Sequence, residues 1–223
     1  MTNFNDVVSQ FRIEGTVESV SPIGNGLINE TLRVKTVDAN TPDYILQRIN
    51  NAIFTDVDLL QHNIELVTDH IRHKLMEKGE TDIERKCLRF VQAKDGKTYY
   101  KDADNLYWRV SVFIPNAVTK EEVNPESAFC CGETFGNFQN MLVDLKEPLG
   151  ETIPDFHNME LRLRQLREAV SADKAGRVAS VKDMIAELES YADEMCLAER
   201  LYREGALPKR ICHCDTKVNN MMF

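Results

Sequence analysis

The stretch that decides the fold is "ICHCDTKVNN", residues 211–220, near the end of the printed sequence. It places His213, Asp215, Lys217 and Asn220 in the spacing H-x-D-x-K-x-x-N. An aspartate can accept a proton from a hydroxyl, an asparagine oxygen can bind magnesium, and a lysine can offset charge on a phosphoryl group in transfer. We interpret His213 as a structural residue that braces the loop. A polar turn before the apolar strand "NMMF" would give the same letters, so the functional interpretation needs support from the rest of the chain.

The composition limits the classes of function. The chain has 223 residues and a formal net charge of -9, with 43% hydrophobic and 28% charged residues. This length suffices for one large domain or two modest ones. The negative charge argues against a nucleic-acid partner and against an anionic membrane surface, since both reward positive charge. A ligand that carries phosphate would have to be bound by local cations, backbone amides or a metal.

The six cysteines do not form the pattern of a disulfide framework, because the chain is long and two of the pairs are adjacent or alternating. Cys212, His213 and Cys214 suggest a zinc site, but no C-x-x-C is present, and alternation would place the thiols opposite the histidine. We therefore expect reduced thiols. The N-terminus has no signal-peptide pattern, and no apolar run is long enough to span a bilayer. These features predict a soluble, cytoplasmic protein.

The first 115 residues read mostly as strands. Alternating or apolar segments predict a five-stranded antiparallel sheet: "FRIEGTVESVSPI", "NETLRVKT", "DYILQRIN", the hairpin "KCLRFVQA" to "TYYKD", and "LYWRVSVFIP". One helix interrupts them, with apolar residues at three- and four-residue steps over residues 57–75 and Asp56 in its first turn.

From Pro125 the apolar period changes to that of helices. It predicts helices over 135–145, from 161 to 170, and a long one over 178–195 that ends near Gly205 and Pro208. The segment "KRICHC" then predicts a short strand that leads into the loop. The chain is thus predicted to be an α+β protein of two lobes, residues 1–115 and residues 116–223, with the ligand in a cleft between them.

The hairpin "GNGLIN" is a candidate phosphate loop. Gly24, Asn25 and Gly26 allow backbone amides to approach a phosphate closely, and Asn29 completes the pattern G-x-G-x-x-N. A plain glycine-rich turn explains the same letters. The segment is not the Rossmann motif, which needs a strand followed by a helix, and it is not a Walker A loop, which needs G-K-[ST]; a loop between two strands is the arrangement of kinases.

Arg48, on the third predicted strand, is a candidate phosphate ligand, because kinases place a phosphate-binding cation there and a guanidinium can bind in a bidentate way. Glu65 on the following helix is the preferred carboxylate to orient it, with Asp69 as the alternative. All three residues could equally be solvated surface charges. Backbone groups of Phe113, Ile114 and Asn116, where a strand runs into a proline-containing connector, are placed to pair with an adenine edge.

Taken in order, these segments resemble the aminoglycoside phosphotransferase and choline kinase-like family of small-molecule kinases. The segments "YILQRIN" and "HCDTKVNNMMF" look most similar to its N-acetylhexosamine 1-kinase branch. The resemblance implies a two-lobed protein-kinase-like fold, ATP and Mg²⁺, and phosphorylation of the anomeric hydroxyl of an N-acetylated sugar. It also implies that Asp215 is the base, Asn220 a magnesium ligand and Arg48 a phosphate ligand. The asparagine in G-x-G-x-x-N departs from the usual third glycine.

The sugar site is predicted less directly. "IPDFHNMELR" offers Asp155, Phe156 and His157 as hydrogen-bonding groups and an aromatic platform, although an ordinary polar loop before a helix reads the same way. The alternative function is a non-catalytic nucleotide-binding or interaction protein on a kinase scaffold. Active kinases carry a second magnesium-binding Asp after the catalytic loop, and the sequence shows none. We therefore expect a truncated helical lobe, an inactive 223-residue chain, and self-association through an exposed C-terminal edge.

Overall fold

The structure is a computed structural model that describes residues 3–23 and 29–223. The chain divides into two compact units, each described by itself below. The first comprises Met1–Thr152 together with Ile211–Phe223, and the second is Ile153–Arg210. The boundary near residue 115 that the sequence predicts falls inside the first unit, and the assignment of lobes stays a prediction.

The first unit contains an antiparallel sheet of six strands in the described part of the chain, one more than predicted. Its strands are β1 (Val17–Pro22), β2 (Glu30–Thr36), β3 (Tyr44–Ile49), β4 (Phe90–Val91), β5 (Tyr100–Lys101) and β6 (Tyr107–Val112). The order is β1-β2-β3-β6-β4, and β5 also pairs with β6. The predicted count of five took the hairpin as one strand, whereas its two segments form separate strands, β4 and β5, which both pair with β6 rather than with each other.

The two faces of this sheet pack against different helices. On one face the buried side chains of Leu32, Leu46 and Trp108 meet helix α1 (Phe4–Val8), and the ring of Phe4 lies edge-on to Trp108 at 5.9 Å between centroids. Helix α1 was not predicted from the sequence, because five residues are too few to show a helical period.

The opposite face packs against helix α2 (Val57–Glu77) through Ile49, Val57 and Tyr107. Asp56 caps this helix by accepting a hydrogen bond from the Leu59 amide at 2.9 Å, which agrees with the start predicted from sequence. A short helix, α3 (Ile83–Lys86), follows.

Helix α4 (Pro125–Met141) begins at a capping box in which Asn124 and Ser127 satisfy each other's backbone amides. It covers the start of the predicted helix 135–145 but ends four residues earlier. Its C-terminal half packs with Phe138 against the end of α2, near Leu75.

The second unit is helical. Its helices are α5 (Met159–Ala172), α6 (Lys182–Ser190), α7 (Ala192–Met195) and α8 (Leu197–Arg203). The single long helix predicted over 178–195 is therefore wrong. The backbone leaves the helical region at Val181, with ψ 14°, and again at Tyr191, with ψ 1°. Arg203 bridges α8 and α5 through two bonds to the Glu160 carboxylate, at 2.8 and 2.7 Å.

The end of the chain differs from its prediction. The segment "KRICHC" is not a strand, and Cys214 has a φ of +65°, which no β-strand accommodates. Residues Val218–Asn220 form a 3₁₀ turn rather than the start of a strand. Phe223 exchanges both backbone hydrogen bonds with Val118, at 3.0 and 2.9 Å, and Met221 is buried. The expected open strand edge over residues 219–223 is therefore wrong.

Candidate active site

The 3₁₀ turn brings together the three polar residues that the loop motif predicts. The Asn220 Nδ2 group donates to the Asp215 carboxylate at 2.7 Å and to the Asp215 carbonyl at 2.9 Å. The Lys217 ammonium lies 3.5 Å from the same carboxylate oxygen. All three side chains are exposed, so the carboxylate can be reached by a substrate hydroxyl.

His213 fixes this loop to helix α4. Its ring lies 5.1 Å from the ring of Phe135 and 6.0 Å from that of Phe138, and both of these aromatic residues project from α4. At the next residue, Cys214, the positive φ reverses the chain before Asp215. This geometry supports the interpretation of His213 as a bracing residue.

The connector that follows β6, residues 113–118, is held by one backbone hydrogen bond and by two arginine side chains. The Phe113 amide donates to the Asp43 carbonyl at 2.9 Å, and the Arg33 guanidinium lies 4.3 Å from the centre of the Phe113 ring. Arg85 donates to the Pro115 carbonyl at 2.6 Å, and Asn116 has a φ of +60°.

The same connector meets the residues that follow the candidate loop through the backbone pair of Val118 and Phe223. The structure thus joins the predicted adenine-binding segment, which includes Ile114 and Asn116, to the loop that ends at Asn220. The adenine contacts themselves stay a prediction.

Of the predicted phosphate loop, Gly24, Asn25 and Gly26 lie outside the described residues. Asn29, at its far end, accepts a hydrogen bond from the Asn50 amide at 2.9 Å through its side-chain oxygen. This bond ties the start of β2 to the end of β3, so Asn29 holds the base of the hairpin.

Arg48 does not meet Glu65, and this part of the prediction is wrong. Side chains alternate along a strand, and Arg48 lies in register with Glu30 and Trp108, on the face that α1 covers. Its guanidinium pairs with the Glu30 carboxylate at 3.2 Å. Glu65 lies on α2, on the other face, where it accepts a hydrogen bond from the Thr98 hydroxyl at 2.5 Å. The role of Arg48 as a phosphate ligand stays a prediction.

Among the described strands of the sheet, the cation that hydrogen-bonds to a side chain of α2 is Arg109 of β6, which was not singled out from the sequence. Its Nε and Nη2 groups donate to Gln47 Oε1 at 2.9 and 2.6 Å, and its Nη1 group donates to Gln61 Oε1 at 3.3 Å. Burial lowers the pKa of Arg109 to about 10, so it is charged at neutral pH. The signal available in the sequence was alternation: Gln47 is the β3 residue in register with Arg109, and both face α2.

The residues predicted to bind the sugar belong to the second unit. The carbonyls of Asp155 and Phe156 accept hydrogen bonds from Arg162 at 3.3 and 3.0 Å. The rings of Phe156 and His157 lie 4.5 Å apart in an edge-on arrangement, and Phe156 is half exposed. A carboxylate, an imidazole and an exposed aromatic ring therefore lie next to one another before α5.

The donor atoms of the loop suit magnesium. Asn220 directs its Nδ2 group at Asp215, so its Oδ1 atom is the one suited to a metal. Magnesium keeps several waters and uses one or two protein ligands beside substrate phosphates, so the Asn220 oxygen could serve as one such ligand. Within residues 3–23 and 29–223, no three His, Cys, Asp or Glu side chains come together as a metal site.

The antiparallel sheet, the connector and the Asp–Asn loop define a kinase-like α+β protein. The chain belongs to the phosphotransferase enzyme family, whose model matches residues 19–223. Its fold is similar to the crystal structure of the spectinomycin phosphotransferase APH(9)-Ia in complex with ADP and spectinomycin, with a TM-score of 0.55 at 12% sequence identity.

The match to that structure covers 99% of this chain and 64% of the spectinomycin phosphotransferase. In the described part of the chain, no helix is both long and apolar enough to cross a membrane.

Proposed function

We propose that the protein transfers a phosphoryl group from ATP to a hydroxyl of a small molecule, and that this is the anomeric hydroxyl of an N-acetylhexosamine. The observation that carries the proposal is the contact of 2.7 Å between Asn220 and the Asp215 carboxylate, in a loop fixed to a kinase-like fold. Membership of a phosphotransferase family supports the reaction type.

In this proposal Asp215 is the residue that receives the proton. Its exposed carboxylate accepts the proton of the acceptor hydroxyl as the oxygen attacks the terminal phosphorus of ATP, and the bond between that phosphorus and the bridging oxygen breaks to release ADP. The Asn220 amide restricts the carboxylate to one orientation by its bond to Oδ2. Lys217, 3.5 Å from the same oxygen, offsets negative charge on the phosphoryl group in transfer. Magnesium, when bound, would neutralise phosphate charge, with the Asn220 side-chain oxygen as its ligand.

The choice of sugar rests on the resemblance of "YILQRIN" and "HCDTKVNNMMF" to the N-acetylhexosamine 1-kinase branch. Asp155 and His157 supply groups that hydrogen-bond to sugar hydroxyls, and the exposed Phe156 ring supplies a surface on which a sugar can stack. The structural neighbour was crystallised with ADP and spectinomycin, a small molecule, which agrees with a small-molecule acceptor.

The activity belongs to a protein that carries the whole phosphotransferase fold. The matched region is 64% of the spectinomycin phosphotransferase, and we propose that residues 1–223 alone do not transfer phosphate. The second candidate function is nucleotide binding without catalysis.

A coupled ADP-release assay tests the substrate class. The protein carrying these residues should phosphorylate N-acetylglucosamine or N-acetylgalactosamine faster than choline, kanamycin or casein, with Asp215→Asn as the blank. The product should be a sugar 1-phosphate, which phosphorus NMR identifies by the coupling to the anomeric proton. A clear preference for choline or an aminoglycoside would reject the sugar and keep the kinase. ADP binding without turnover of any acceptor would favour the second candidate.

A further inference from the structure

The space between the sheet and α2 contains a cation that pairs with no carboxylate. Arg109 lies on β6 opposite Gln47 of β3, and its three described hydrogen bonds all end on the amide oxygens of Gln47 and Gln61. The ring of Phe90 lies 5.6 Å from the guanidinium carbon. A charge that is largely removed from water is costly unless an opposite charge compensates it. Among the described residues, Arg109 hydrogen-bonds only to the neutral side chains of Gln47 and Gln61.

Both amides are held with their oxygens towards the guanidinium. The Gln47 Nε2 group donates to the Thr31 hydroxyl at 3.1 Å. Gln61, almost fully buried, donates from Nε2 to the Thr98 carbonyl at 3.1 Å and to its hydroxyl at 3.0 Å. Because these bonds use the amide nitrogens, the oxygens face Arg109. The arrangement orients the cation without neutralising it.

The carboxylate of this hydrogen-bond network, that of Glu65, does not contact Arg109 directly and so does not act as its counter-ion. Glu65 accepts the hydrogen bond of the Thr98 hydroxyl, and Thr98 in turn separates it from Gln61. The pKa of Arg109 agrees with this geometry, since burial alone accounts for its lowered value of about 10.

The guanidinium shares its sheet face with the connector. Arg109 and Phe113 are four residues apart, and alternate residues of a strand lie on one face. A second contact also places Phe113 on the α2 face. The Arg33 guanidinium lies over the Phe113 ring, and Arg33 is on the α2 face because its register partner is Ile45. Four steps of about 3.3 Å give roughly 13 Å, which is the scale of an extended nucleoside diphosphate.

We propose that Arg109 binds the phosphate oxygens of the nucleotide and that Gln47 and Gln61 are its positioning residues. The inference deepens the proposed function, on which it rests, by assigning the phosphate-binding cation to β6 instead of β3. Arg48 serves poorly in this role, because it lies on the α1 face and already has an anionic partner in Glu30. Two guanidinium N–H groups of Arg109 remain beyond its three described bonds and can donate to phosphate.

Calorimetric titration of the chain with ADP and with adenosine tests this assignment. Arg109→Met should weaken ADP binding by about 10- to 100-fold, as expected for the loss of hydrogen bonds to a charged group, and leave adenosine binding within about twofold. Arg48→Met tests the competing assignment, in which the cation on β3 is the phosphate ligand; under the present inference it should change ADP affinity by no more than about twofold. Loss of ADP affinity in Arg48→Met, with Arg109→Met unaffected, would overturn the assignment.

A second variant separates phosphate binding from a purely structural role. Gln47→Glu gives Arg109 an internal carboxylate that competes with phosphate, so ADP affinity should fall while the thermal unfolding midpoint is kept or raised. Unchanged ADP affinity in this variant would reject the inference, even if Arg109→Met failed to fold. A wild-type chain that binds ADP no better than adenosine would reject both this inference and the nucleotide part of the proposed function. Intact ADP preference in Arg109→Met would reject this inference alone.

Discussion

The contact between His213 and helix α4 gives a quantitative prediction about the stability of the loop that carries Asp215 and Asn220. Replacing His213 by Ala removes two ring contacts, at 5.1 Å to Phe135 and 6.0 Å to Phe138. Aromatic pairs contribute about 0.5–1.5 kcal/mol each beyond their buried area. Because His213 is exposed and the two phenylalanines are only half-buried, we take the lower half of that range. Two such contacts should therefore lower the free energy of unfolding by about 1–2 kcal/mol.

Urea unfolding can measure this loss through the only tryptophan of the chain. Trp108 is 1% exposed and lies in the first unit, which also contains His213, so its fluorescence reports the unfolding of the relevant unit. His213→Phe is the matched control and should retain most of the stability, because it keeps a ring. A double-mutant cycle with Phe135→Leu isolates the pair. A coupling energy of less than about 0.3 kcal/mol would show that the rings are near each other without stabilising the loop.

Three further predictions use other parts of the first unit. Asp43→Asn should lower the free energy of unfolding by about 1 kcal/mol at pH 7. Burial alone would raise the pKa of Asp43, but its threonine and arginine partners outweigh burial and lower the pKa in the folded state. The stabilisation by the Asp43 carboxylate is therefore present above the unfolded pKa near 4, and in urea titrations it should disappear as the pH falls below that value and through the lowered folded pKa. Gly15→Ala should lower the free energy of unfolding by about 1–3 kcal/mol in the same assay, because φ is +83° and the new Cβ would lie 2.8 Å from the Thr41 hydroxyl. The control Gly79→Ala, at φ +69° with open space around it, should be less destabilising. Asp215→Asn should lower kcat by about 10²–10⁴-fold in the protein that proves active and leave ADP affinity within about threefold; near wild-type kcat would mean that another group accepts the proton.

The sequence predicted the parts of the fold that depend on local pattern. Strands β2, β3 and β6 and helix α2 follow clear periods of two or 3.6 residues, and the Asp56 cap marks a helix start. Elements that depend on contacts with distant segments of the chain were missed or predicted wrongly. The alternation in "KRICHC" suggested a strand, but these residues have no neighbouring strand to pair with in the described structure, and Cys214 turns instead. Helix α1 is recognisable only from the sheet face that it covers.

The same distinction applies to the candidate site. The spacing of Asp215, Lys217 and Asn220 is local, and a single 3₁₀ turn suffices to bring these residues together. The predicted pairing of Arg48 with Glu65, by contrast, joins a residue of β3 to a residue of α2, two segments that are distant in the sequence. It required knowing which face of β3 meets α2, and the alternation of a single strand does not contain that information.

The face is decided by apolar packing rather than by the charged residues themselves. Leu46, two residues before Arg48, is fully buried beneath α1, and Trp108, the register partner of Arg48, is 1% exposed on the same face. Because side chains alternate, burying Leu46 there directs Arg48 away from α2 and Gln47 towards it. A helix that packs on the Gln47 face can then meet Arg109, the register partner of Gln47, but not Arg48. The packing of α1 thus determines which of these two arginines faces α2.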